Sequence, residues 1–227
     1  VPLLRAARGI FEGGVLDEVL RPHVTEGALD DGAADDPMLE AEVLGADWLR
    51  RGGKRLRPFV TVAACALGRH GLDALSVDAD VDSMIDRPLQ ALAVAIETLH
   101  KASLIHDDIA DDDDFRYGEP ALHVTHGVGR AVNVGDWLVG LGYQLIAAQS
   151  DALGPDCAAD ILGRLSAAQL ALSRGQGAEL AWVGRETGAL RAVDALNIGA
   201  LKTAPAFEVA LYAGLRASGA GFDRDLI

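Results

Sequence analysis

Apolar residues recur along this chain at steps of three and four, and that spacing predicts helices through most of its length. The stretch RPLQALAVAIETLHKASLIHDDIADD shows it most clearly. Leu89, Leu92, Ile96, Leu99 and Ile105 keep mostly to such steps, and Pro88 suits a first turn, where its missing N–H leaves no bond unmade. A helix is expected from about Pro88 into the aspartates. GDWLVGLGYQLIAAQS, DCAADILGRLSAAQLALSRGQGAELAW and AVDALNIGALKTAPAFEVALYAGLRA read the same way, separated by the turn-rich pieces RYGEPALHVTHG, SDALGPD and GRETG. Residues 23–40 are polar, acidic and glycine-containing, and read as a loop; so do residues 70–87. There is no internal repeat. The expectation is one all-α domain of long helices.

Composition agrees and narrows the partners. Half of the 227 residues are hydrophobic, enough for a large core, while aromatic residues are only 5%. With 34 acidic against 20 basic side chains, the net charge is -14, a balance that repels nucleic acid and anionic membranes at long range. Neither is expected as a partner, whereas an anionic small molecule fits wherever cations gather locally. Cys65 and Cys157 show neither metal spacing nor a disulfide framework, and Cys65, in FVTVAACAL, reads as a small buried apolar residue. There is no run of 18 apolar residues, so no integral membrane segment is expected, and the N-terminus lacks a signal-peptide pattern. The expected compartment is the cytoplasm.

The chemistry concentrates in three places. Between 107 and 114, six of eight residues are aspartate. On a helix Asp107 and Asp111 share a face with Asp108 beside them, and like charges so placed repel. Mg²⁺ relieves this: it takes one or two carboxylates and completes its shell with water and phosphate oxygens. The blander reading is a solvated acidic helix end, but LHKASLI before it is apolar, so the acids end a core helix. The second place is RGGKRLRP, where Arg51, Lys54, Arg55 and Arg57 are four cations in seven residues. Such a loop either grips a phosphate without metal or pairs with surface acids. The third is Lys202-Thr203 inside an apolar helical stretch, where the lysine either reaches an anion or snorkels to the surface.

In order along the chain stand GGKRLRP (52–58), ETLHKASLIHDDIADDDDFRYGEPALH (97–123), GDWL (135–138), GQGAEL (175–180) and KT (202–203). With these motifs the chain, from about residue 45 to 215, resembles the all-trans polyprenyl diphosphate synthases. The resemblance implies an isoprenoid-synthase-type bundle of long antiparallel helices around a central cavity. It also implies condensation of an allylic diphosphate with isopentenyl diphosphate, with Mg²⁺ as cofactor and a homodimer as the assembly. By the same resemblance, Asp107, Asp108 and Asp111 match the first DDxxD motif and bind Mg²⁺ bridging the allylic diphosphate, which Arg116 also contacts. Lys54 and Arg57 match residues for the diphosphate of isopentenyl diphosphate, and His100 falls where a His or Gln serves that site. Lys202, Thr203 and Gln176 match groups lining the allylic side. The small residues Ala102 and Ser103, five and four places before Asp107, imply a product of C20 or longer, with pocket depth set near Thr98 or Leu99.

Two features depart from the family pattern. Arg116 is followed by Tyr117, where the family has a second arginine. A second DDxxD motif is expected after one more helix beyond Lys202-Thr203, and Asp223 and Asp225 do not supply it. Residues 1–227 are accordingly read as a single prenyltransferase domain lacking its C-terminal part. Two other readings stay open: a terpene cyclase of the same fold, against which RGGKRLRP speaks, and a non-catalytic subunit of a prenyl synthase. Among the remaining residues, His106 reads either as orienting a carboxylate or as packed, Trp137 and Trp182 as core, and Asp136 as a family position or a helix cap.

Overall fold

The computed structural model describes residues 2–30, 33–76, 80–183 and 191–221. The chain opens with three short helices: α1 (Pro2–Gly9), α2 (Val15–Leu20) and α3 (Glu40–Arg50). Longer ones follow, α4 (Leu56–His70) and α5 (Arg87–Ala110). After α5 come a two-stranded hairpin, β1 (Phe115–Arg116) with β2 (Glu119–Pro120), and the short helix α6 (Leu122–His126). Then α7 (Val128–Ala147), α8 (Ser150–Leu153), α9 (Pro155–Val183) and α10 (Ala192–Ala217) complete the bundle. The fold is all-α, as the periodicity predicts.

Helix α5 is the centre. The Asp86 side chain accepts from the Leu89 N–H at 3.1 Å, capping the helix just before Pro88 in its first turn. Leu89, Leu92, Ala93, Val94 and Ala95 are essentially fully buried, so α5 is enclosed on all sides there, with α7 and α4 packed along it. Helix α10 in turn packs along α9 and α4. These approaches depend on small residues. A Cβ on Gly142 of α7 would stand 2.5 Å from Leu99 of α5, and one on Gly175 of α9 only 2.8 Å from the Leu201 Cβ of α10.

Between α2 and α3 and between α4 and α5, the described residues hold only short 3-10 helices and turns, so 23–40 and 70–87 are helical in the α sense only at their ends. The piece read as turns between α5 and α7 is more ordered than expected. Tyr117 and Gly118 both have positive φ (57° and 84°), the backbone of a two-residue type I′ hairpin loop, so Arg116 and Glu119 face each other across it. The predicted turn GRETG (184–188), like Asp223 and Asp225, lies outside the described residues.

Candidate active site

Helix α5 carries two polar stripes. On one, Ile96, Leu99, Ser103 and Asp107 follow each other at three- and four-residue steps, with His100 next to Leu99, and all five line a cavity of about 350 Å³. Arg57 of α4, Gln176 of α9 and Lys202 of α10 complete its polar rim, and Val139, Leu165, Leu172 and Val209 contribute apolar wall. Five of the expected residues therefore meet here: Arg57, His100, Asp107, Gln176 and Lys202. Arg57 from the basic loop and Asp107 from the aspartate cluster look into one space.

The second stripe, Glu97, Lys101 and Asp108, is buried and points elsewhere. Glu97 accepts from Arg55 at 2.8 Å in an ion pair whose members are 3% and 6% exposed. Lys101 is fully buried and donates to the carbonyls of Arg51 and, at 3.3 Å, Gly52. Its ammonium lies 4.1 Å from the centre of the Tyr117 ring. A guanidinium at 117 would set a second cation against that ammonium, whereas the ring presents its negative face. Asp108 accepts from Arg116 Nε at 2.7 Å on Oδ1, and Arg116 also reaches Asp113 at 3.1 Å.

The three aspartates of DDxxD thus occupy different places. Asp107 lines the cavity. Asp111 is exposed at the C-terminal cap of α5, where its charge acts on Asp107 and Lys202. Asp108 is 1% exposed and committed to Arg116, with Oδ2 buried and unpartnered. Burial raises the pKa of Asp107, Asp111 and Asp108 raise it further, and Lys202 and Arg116 oppose them. Burial likewise raises Asp108, against its bond from Arg116. Among the described residues no three metal-ligating side chains gather into a complete cation site. The carboxylates of Asp107 and Asp111, one turn apart, fit Mg²⁺ as a partial, all-oxygen set of the kind that shares the ion with a phosphate.

The rest of the polar lining is cationic or neutral, with Lys202 close enough to feel the charges of Asp107 and Asp111, and Arg57 close enough to act on His100. Arg57 lies 4.6 Å over the Phe207 ring, its Nε buried without a partner, and burial lowers its pKa while Glu97 and Tyr117 oppose the shift. Both amide atoms of Gln176 are buried and unpartnered. The imidazole of His100 is pushed down to about 3, first by burial and then by Arg57, Lys101, Arg55 and Arg116, so it is neutral at physiological pH. Lys202 pairs with Glu179; burial works to lower its pKa, but that bond and the charges of Asp111 and Asp107 outweigh it.

Other expectations fare differently. Lys54 and Thr203 are exposed and outside the cavity lining. Ser103 faces the cavity, while Ala102 is turned into the core. Leu99 lines the cavity, but Thr98 is buried with its hydroxyl on the Val94 carbonyl at 2.8 Å, so it cannot set the depth directly. Asp136 is no helix cap: it lies inside α7, with Oδ1 3.4 Å from His106 Nε2. The His106 ring occupies the space a Cβ on Gly135 would need, which accounts for glycine before Asp136 in GDWL. Trp137 packs on the core and Trp182 is only partly buried, whereas Trp48 is the tryptophan at its centre. Sequence reasoning took Arg55 only as one of the loop's cations, and missed Glu97 and Lys101. Glu97 and Lys101 are one turn apart, which ordinarily marks a surface pair; the signal was that Asp108 continues the same stripe into a core helix.

A helical bundle with a largely apolar cavity that both acidic and basic side chains line is the class that fold and site define. The polyprenyl synthetase family profile matches residues 43–225, and the chain belongs to that family. It is 36% identical over 175 residues to a geranylfarnesyl diphosphate synthase from Aeropyrum pernix, covering 76% of this chain and 50% of that protein. It is 34% identical over 171 residues to a geranylgeranyl diphosphate synthase from Rhodobacter capsulatus, covering 73% of this chain and 53% of that one. The chain thus spans about half the length of these curated relatives. Among solved structures, an FPP/GFPP synthase from Zymomonas mobilis has a TM-score of 0.73 at 25% identity over 96% of this chain and 73% of that one. A polyprenyl synthase from Caulobacter crescentus CB15, complexed with calcium and isoprenyl diphosphate, has a TM-score of 0.69 at 27% identity over 96% and 56%.

Proposed function

We propose that this protein is a Mg²⁺-dependent trans-prenyltransferase that condenses an allylic diphosphate with isopentenyl diphosphate to give a polyprenyl diphosphate of C20 or longer. The observation that carries the reading is the single cavity onto which Arg57 and Asp107 both open, with apolar wall between them. Asp107 and Asp111 are the residues that would hold Mg²⁺, which when bound neutralises charge building on the leaving diphosphate. Asp108 serves by holding Arg116 beside that group. Lys202 and Gln176 hold the allylic side, with Thr203 at its margin. Arg57, Lys54 and neutral His100 hold the diphosphate of the second substrate, and Arg57's unpartnered Nε is a donor awaiting an acceptor. The apolar wall excludes water from the allylic cation.

The product length draws on the small Ser103 at the cavity wall and on the relatives named as geranylgeranyl and geranylfarnesyl diphosphate synthases. A second aspartate-rich element, a cytoplasmic location and a homodimer belong to the same proposal. No described helix is long and apolar enough to cross a membrane. The test is diphosphate release from a farnesyl-type allylic diphosphate with Mg²⁺, with and without isopentenyl diphosphate. Release dependent on the second substrate, with products of C20 or longer, is expected. Release without it would point to cyclisation and sink the proposal.

A further inference from the structure

Helix α3 ends at Arg50, and its last carbonyls need donors. Two cations serve this end and the turn that follows it. Arg55 donates to the Leu49 carbonyl at 2.7 Å, and Lys101 reaches up from α5 to those of Arg51 and Gly52. The intervening chain folds back around the ammonium through Gly52 and Gly53 at φ +26° and +103°, and Arg55 at φ +54°. Tyr117 closes the assembly: a Cβ on Gly52 would stand 2.8 Å from its ring, so only glycine lets the ring lie over Lys101. Trp48 of α3 donates from Nε1 to the Lys101 carbonyl at 3.0 Å, fixing α3 against the turn of α5 that carries the lysine. The acid one turn away, Glu97, is already taken by Arg55. A fully buried ammonium spent on two loop carbonyls, rather than on a carboxylate, has the loop's conformation as its only product.

We propose that Lys101 is a positioning residue: its ammonium clamps the Arg51 and Gly52 carbonyls beneath Tyr117 and so fixes the loop that carries Lys54 and leads into Arg57 at the start of α4, the two cations offered to a diphosphate. The diphosphate part rests on the function proposed above; the clamp itself does not. The lysine's pKa is drawn down to about 7, first by burial, then by Arg55, with Glu97 opposing and Arg51 and Arg116 adding to the fall. Tyr117, raised by burial, stays neutral there. The clamp therefore loosens as pH climbs through about 7.

The experiment compares the full-length protein with its Lys101→Met and Tyr117→Leu variants. Hydrogen exchange reads the amides of residues 51–55, calorimetry reads inorganic diphosphate binding without metal, and steady-state kinetics read the two KM values. Lys101→Met is expected to speed exchange in the loop and to weaken metal-free diphosphate binding about tenfold, the scale of a lost charge-assisted contact set. It raises KM for isopentenyl diphosphate by a similar factor and leaves KM for the allylic substrate within about twofold. Wild-type affinity falls more steeply than the variant's above about pH 7, the ligand's own titration being common to both. Tyr117→Leu moves the same readouts in the same direction and decides alone if Lys101→Met does not fold. Unchanged loop exchange, or equal effects on both KM values, overturns the proposal. Faster loop exchange in a protein whose wild type binds no metal-free diphosphate upholds the clamp and overturns the diphosphate reading.

Discussion

Asp107 is a carboxylate that the fold makes costly to ionise: burial raises its pKa, and Asp111 and Asp108 add to the effect. The folded protein therefore holds this proton to higher pH than the unfolded chain, so the residue's contribution to stability falls as pH rises from about 4 through the raised value. Asp107→Asn is expected to flatten that slope in denaturant titrations. It should also abolish the rise in melting temperature that Mg²⁺ gives in the presence of diphosphate. The Arg55–Glu97 pair behaves differently, being buried and satisfied. Glu97→Ala leaves a buried guanidinium without its carboxylate and is expected to cost about 3–5 kcal/mol in chemical unfolding, while replacing both residues by methionine recovers only part of that loss, because the Leu49 carbonyl then loses its donor.

At the scale of elements, the contact between α9 and α10 sets the position of Lys202. Gly175 sits where a Cβ would stand 2.9 Å from the Lys202 backbone nitrogen, so there is no slack for a methyl group. Gly175→Ala is expected to cost about 1–3 kcal/mol by overpacking. It should also raise KM for the allylic substrate, because it pushes α10 and its lysine outward. Long helices such as α5, α7, α9 and α10 were legible from apolar spacing because each offers several turns of evidence. Helices α1, α2, α6 and α8 run to eight residues or fewer and offer too few. Within the site, Arg57 and Asp107 could be read from motifs. That Lys54 stays exposed and Arg55 turns into the core while Arg57 reaches the cavity could not be read, because backbone reversals at Gly52, Gly53 and Arg55 decide it. Nor could the commitment of Asp108 to Arg116, which arises when the Tyr117-Gly118 turn folds β1 back onto α5.

For the molecule as a whole, the proposed function makes the cavity, whose wall includes Ser103, the space that limits product length. Ser103→Phe is expected to shift products toward C15, read by chromatography of the hydrolysed prenols. Ala102→Phe, aimed into the core instead, is expected to lower the melting temperature before it alters product length. His100 and Asp107 both stand on α5, seven residues apart, and so about 10 Å along its axis. A single residue inserted between them would swing one about 100° around the helix relative to the other and part the two side chains. Loops elsewhere can lengthen and the bundle absorb the change, but the interval from His100 to Asp107 behaves as a ruler with a fixed number of divisions.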